Sequence, residues 1–179
     1  QARAYALDTE FHRERTYVPV LALVQLATAD RLALVDTLAV DVGPLRKLFQ
    51  TDALCVMHAG SQDLEILELE CGAVPRRMFD TQIAALFCGY RTSSLGKLLE
   101  GFLDVRLDKS SQLTDWTRRP LPADDLRYAA SDPSAAAGVL EGLGCSRDGS
   151  AQQAEALSTP GGIRLQLVGD VKARPSAHP

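Results

Sequence analysis

Ala4-Tyr5-Ala6-Leu7-Asp8-Thr9-Glu10, then Leu21-Ala22-Leu23-Val24-Gln25-Leu26, then Leu32-Ala33-Leu34-Val35-Asp36: on these three runs the fold turns. Each is short and mostly apolar, which suits a buried pleated surface, so strands are expected at 4–8, 21–26 and 32–36. Only the turn Thr28-Ala29-Asp30-Arg31 separates the second from the third. Connections this short predict antiparallel neighbours.

Outward from this start, helical and extended runs alternate. Helices are expected at Pro44 to Gln50, with proline tolerated in the first turn, and at Ser61 to Glu70, opened by a Ser61 cap. Leu54 to His58 reads as a buried strand and Met78 to Asp80 as a short one, followed by helices over Thr81 to Cys88 and Leu95 to Phe102. Asp104 to Leu121 has no period and is expected to be an ordered loop. Ala123 to Leu143 is helical, interrupted by Pro133. The pattern describes an α/β protein, a mixed sheet flanked by helices. Strand order is not legible in it.

After Gly144 the composition shifts to Ser, Gly, Gln, Ala and Pro, with Ile163 to Val168 the one β-like run. The expected organisation is therefore a catalytic-size domain over residues 1–143 and a weakly ordered tail over 144–179. A length of 179 residues with 46% hydrophobic and 23% charged side chains suits one domain. No run approaches the roughly 18 apolar residues of a membrane span, and no basic segment followed by an apolar one marks a secretion signal, so no membrane association is expected. Cys55, Cys71, Cys88 and Cys145 form no CxxC pair and suit a reducing cytoplasm. A net charge of −4 argues against coating nucleic acid non-specifically, but not against meeting phosphates through bound metal ions.

Three short motifs could carry such chemistry. The period of a strand sends Asp8 and Glu10 to one face, where two carboxylates can share a hard divalent cation. Alone, the pair also fits a solvated strand end. Asp63, in His58-Ala59-Gly60-Ser61-Gln62-Asp63, falls in the first turn of a helix, where the dipole favours a carboxylate anyway. His58, closing a buried strand, reads as a packing residue more than a ligand. Tyr128 and Asp132 stand four apart and share a helix face, so a phenol able to position or deprotonate water sits beside a possible metal ligand.

The ordered set says more than its members. DTEF at 8–11, HAGSQDLE at 58–65, FDTQIAA at 79–85, LDKSSQLTDWTRRPL at 107–121 and YAASD at 128–132 resemble ribonuclease D, from about Tyr5 to Leu140. The resemblance implies a ribonuclease H-like exonuclease fold of the DEDDy group. It implies a site binding two divalent cations, Mg²⁺ or Mn²⁺. By that likeness Asp8 would bridge both ions, Glu10 and Asp132 would complete one site, Asp63 would hold the other through water, and Tyr128 would orient the attacking water. Asp80 would support the fold around the site, and Lys109 would meet a substrate phosphate. The implied activity is release of nucleoside 5′-monophosphates from single-stranded RNA 3′ ends, as in trimming tRNA or other structured precursors, with no obligate protein partner. DNA exonuclease or proofreading activity is the alternative within the same chemistry.

Two features depart from the family pattern. Pro133 follows Asp132 directly, which allows a rival reading: Asp132 as N-cap of a new helix over Pro133 to Leu140, its carboxylate turned toward backbone N–H groups and the protein a weakened, RNA-binding remnant. Nothing after Gly144 resembles the helical accessory domains usual in ribonuclease D. Arg13, Arg15, Arg91, Lys97, Lys109, Arg118 and Arg119 are candidates to line a substrate path.

Overall fold

The computed structural model describes residues 4–13, 19–29, 31–90, 94–106, 114–142 and 164–168. β1 runs Ala4–His12, β2 Val20–Ala27 and β3 Arg31–Asp36, and both pairings are antiparallel as expected. β1 extends beyond residue 8 because β2 offers partners as far as Val20, opposite His12. Cross-strand pairing overrides the weak strand preference of Asp and Glu. Asp8 and Glu10 therefore sit inside a strand, not at its end, with a register shift just after Glu10.

α1 (Leu45–Phe49) leads to β4 (Leu54–Met57), α2 (Ser61–Cys71) to β5 (Met78–Asp80), and α3 (Thr81–Phe87), α4 (Leu95–Leu103) and α5 (Ala123–Gly142) follow. β4 and β5 add to β1 in parallel. A further strand, β6 (Arg164–Val168), runs parallel to β3, giving the mixed sheet order β5-β4-β1-β2-β3-β6. Arg164–Val168 is the β-like run expected after Gly144, and a sheet edge supplies the backbone partners that it lacks by itself. The rest of 144–179, with Cys145, lies outside the described residues, as do Arg15, Arg91 and Lys109.

Side-chain alternation gives the sheet two apolar faces. On one, Tyr5 and Leu7 pack with Phe49, Ile66, Leu67 and Cys71 of α1 and α2. On the other, Ala6, Ala27, Leu32 and Val56 meet Ala136 of α5, and Leu23 and Leu34 meet Ala129 and Trp116. Small alanines let α5 lie close to the strands. Asp8 and Glu10 alternate with Leu7 and Thr9 and so belong to the α5 face.

α5 is one helix with Pro133 inside it. Asp132 is not the N-cap of a separate helix. Pro133 cannot donate to the carbonyl of Ala129, but hydroxyls bond the carbonyls on either side: Ser131 Oγ donates to Tyr128 O at 2.7 Å and Ser134 Oγ to Ala130 O at 3.3 Å. Packing of the alanine face holds the helix through the defect.

Ser61 is likewise not a cap: Gly60 holds that position, without a side-chain bond. Asp80 does the capping instead. Its carboxylate accepts from Ala59 N at 3.1 Å and Gly60 N at 3.0 Å, and from Gln82 N at 2.8 Å and Ile83 N at 3.3 Å at the start of α3. One side chain thereby pins the entries of two helices, as expected of a fold-supporting residue. Ala59 is held at a φ of 57°, strained for a residue with a Cβ, and a Cβ on Gly60 would approach Met57 to 2.9 Å. Asp80→Ala should therefore lower stability by about 2 to 3 kcal/mol, two lost caps plus charge-assisted bonds, read from urea denaturation midpoints. A loss under about 0.5 kcal/mol would show that the loop holds itself.

Candidate active site

β1, α2 and α5 each contribute to one acidic cluster. β1 pairs with β4 only through Ala6, so Asp8, Thr9 and Glu10 lie beyond that pairing, and the first turn of α2 brings Asp63 to them. Thr9, pointing away from α5, donates its hydroxyl to Asp63 Oδ1. α5 crosses the opposite face and brings Tyr128 and Asp132.

The electrostatics record the convergence. Burial pushes Asp8 well above the usual carboxylate range, and the charges of Asp63, Asp132 and Glu10 push it further, against a Thr9 backbone bond. Glu10 is raised to about 8, by burial and then by Asp132 and Asp63. Burial raises Asp63 despite hydrogen bonds from Thr9. Asp132 rises to about 6 through burial, opposed by its hydrogen bond with Tyr128. The Tyr128 phenol is itself pushed up, by burial first and then by Asp132, Glu10 and Asp8. No basic group appears among these causes. Among the described residues, no cation is drawn in to balance the negative charge of the cluster.

The donor set is all oxygen, which fits hard divalent cations such as Mg²⁺ and Mn²⁺ and poorly suits soft metals. Among the described residues, however, no group of three or more His, Cys, Asp or Glu side chains is drawn together at ion-enclosing spacing. The carboxylates feel one another's charge without forming a closed cage.

Other expected residues take different places. His58 Nδ1 lies 2.9 Å from Thr81 Oγ1, which donates to Met57 O at 3.1 Å, so His58 ties β4 to α3. Arg119 is committed to the fold: Nε and Nη2 grip Asp36 at 2.7 Å each, Nη2 reaches Ala22 O at 2.8 Å and Nη1 reaches Trp116 O at 2.7 Å. Burial would raise Asp36, but Arg119's bonds and charge outweigh it and hold the carboxyl low. Arg119 is thus removed from the candidate substrate path, while Arg13, Lys97 and Arg118 remain exposed and Arg13 sits 3.7 Å from Glu65. The loop so anchored sets Trp116 against Tyr128, ring centroids 6.1 Å apart. Thr9 was not singled out from sequence, since a threonine between two acids in a strand carries no signal of which face meets a helix.

Comparison with known proteins now bears on this geometry. The sequence model of the 3′-5′ exonuclease family matches residues 1–143. Ribonuclease D of Granulibacter bethesdensis is 43% identical over 141 residues, 76% of this chain and 36% of that protein. Ribonuclease D of Escherichia coli is similar at 44% over 132 residues, 72% and 35% of the two chains. The solved structure of Escherichia coli RNase D, an exoribonuclease involved in structured RNA processing, superposes with a TM-score of 0.76 at 39% identity, over 82% of this chain and 40% of that one. Brucella melitensis NrnC, solved with bound Mg²⁺, superposes with a TM-score of 0.70 at 26% identity, over 80% and 72%. The chain spans about a third of the length of the curated relatives it matches. Its mixed sheet flanked by helices is the ribonuclease H-like exonuclease fold, and the chain belongs to the 3′-5′ exonuclease family, with ribonuclease D among its relatives.

Proposed function

We propose that this chain is the catalytic unit of a metal-dependent 3′-5′ exoribonuclease that releases nucleoside 5′-monophosphates from single-stranded RNA 3′ ends. The observation that carries the reading is the convergence of Asp8, Glu10, Asp63 and Asp132, where burial and then the neighbouring acids raise Asp8 and Glu10 and which a divalent cation would balance. In this reading Asp8, Glu10 and Asp132 would hold one ion and Asp8 the other with Asp63 through water, as Mg²⁺ or Mn²⁺. Bound there, such ions supply a water acidic enough to attack and charge stabilisation for the leaving oxygen.

The chain's own groups do the positioning. Tyr128, pushed upward, keeps its proton at neutral pH and acts as a donor that orients water or a phosphate oxygen, not as a phenolate base. Thr9 fixes one oxygen of Asp63 by its hydroxyl bond, which orients the carboxylate beside β1. The continuous α5 supports this reading over a non-catalytic remnant, since it leaves Tyr128 and Asp132 on one helix face. RNA is favoured over DNA because the curated relatives compared above are ribonucleases, and structured RNA precursors such as tRNA are the natural candidates. Lys109, on the 107–121 stretch, is proposed to meet a substrate phosphate. The cytoplasm suits the free thiols of Cys55, Cys71 and Cys88, and no helix among the described residues is long and apolar enough to cross a membrane.

The test is degradation of 5′-labelled single-stranded RNA, beside DNA of the same sequence, with Mg²⁺, Mn²⁺ or EDTA. A ladder of 3′-shortened RNA that vanishes in EDTA supports the reading; faster loss of DNA would move the activity to the DNA exonuclease alternative. Tyr128→Phe should slow the RNA reaction by about 10²-fold, the scale of one positioned proton-handling group, while leaving the KM for RNA near the parent value. An undiminished rate would remove Tyr128 from the mechanism.

A further inference from the structure

Gln25 is the one polar side chain in the apolar run of β2, and it is fully buried. Among the described residues, neither its Oε1 nor its Nε2 has a hydrogen-bond partner. Buried amides are nearly always satisfied, because a carboxamide taken out of water without partners is costly to the fold. A site that retains one invites the question of what it serves. Register answers in part: Gln25 is paired directly with Asp8 across β1 and with Leu34 across β3, and Glu10 stands one pair further along, opposite Leu23. Directly paired residues point to the same face, with Cβ atoms about 4.5 to 5.5 Å apart. Leu23, Leu34 and Ala129 pack together on that face, so Gln25's flanks are apolar except for the acid.

We propose that Gln25 is a positioning residue of the metal site, its carboxamide N–H donating to the Asp8 carboxylate once a cation is bound and holding its other oxygen toward the ion. The inference rests on the metal-site reading given above. A carboxamide is the suitable group for this place: it donates to a carboxylate, carries no charge to compete with a cation, and is long enough to cross from the neighbouring strand. Lysine would neutralise the site; leucine would leave Asp8 without a lateral partner.

The experiment measures Mn²⁺ binding by calorimetry and unfolding in EDTA for the full chain and for Gln25→Met, similar in length and unable to donate. The metal dissociation constant should rise about 10-fold or more, as when the outer partner of a ligand is lost. The melting temperature in EDTA should hold or rise, because an unpartnered amide is gone. Weaker metal binding in a protein no less stable is a pair of changes that a packing role does not produce. An unchanged Mn²⁺ affinity overturns the proposal. Asp8→Ala separates the layers: if it too leaves Mn²⁺ binding untouched, the metal-site reading falls and this inference with it; if it abolishes binding while Gln25→Met does not, only the role of Gln25 falls. Should Gln25→Met not fold, the Gln25 side-chain amide resonance of the unaltered protein, followed during Mg²⁺ addition, must shift; a resonance unmoved at saturation also overturns the proposal.

Discussion

Asp8→Ala is expected to lower the rate of RNA shortening by at least about 10³-fold, since losing the carboxylate shared by both proposed ions forfeits several kcal/mol of transition-state stabilisation, each 1.4 kcal/mol being tenfold. The direction follows from its position. Asp8 is the one acid raised by all three of the others, the common neighbour of Glu10, Asp63 and Asp132. The same change should raise the melting temperature in EDTA, because the most strained of the buried carboxylates is gone. Loss of activity with gain of apo stability distinguishes a functional carboxylate from a structural one, whose removal would lower both. A variant that retains rates within tenfold of the parent would dismiss the cluster as the reaction centre.

The second large effect is on stability against pH. Glu10 stands at about 8 and Asp132 at about 6 in the folded chain, with Asp8 and Asp63 also raised, whereas all four titrate near 4 when unfolded. Between about pH 4 and 8 the folded chain therefore binds more protons than the unfolded one, so stability falls as pH rises through that window. Below it both states are protonated and the dependence vanishes. In EDTA the melting temperature should drop by roughly 5 °C or more from pH 5 to pH 8, since about 2 kcal/mol corresponds to some 4 to 8 °C in a chain this size. Millimolar Mn²⁺ or Mg²⁺ should restore most of the loss at pH 8 and little at pH 5, where protons already occupy the carboxylates. Scanning calorimetry at both pH values, with and without metal, reads this directly. A melting temperature that rises from pH 5 to pH 8 in EDTA would mean that the acids are already compensated.

Local pattern was enough for much of this. The three opening strands, their antiparallel order, the alternation that follows and the ends of most helices could be read from apolar period and turn residues, which act over a few positions. Asp8 and Glu10 on one face, and Tyr128 with Asp132 on another, follow from the strand and helix periods alone, and the ordered motifs carried the family resemblance. What tertiary structure decided was every relation between distant segments. β2 pairing extended β1 through Glu10; Asp80, not Ser61, capped the entry to α2; alanine packing on the sheet kept α5 whole across Pro133; and Arg119 was spent on Asp36 instead of a substrate path. Gln25 shows the reason most plainly. In sequence it is one polar letter in LALVQL, and only strand register sets it beside Asp8, because a side chain's partners are fixed by which backbone lies next to it in space and not by its neighbours along the chain.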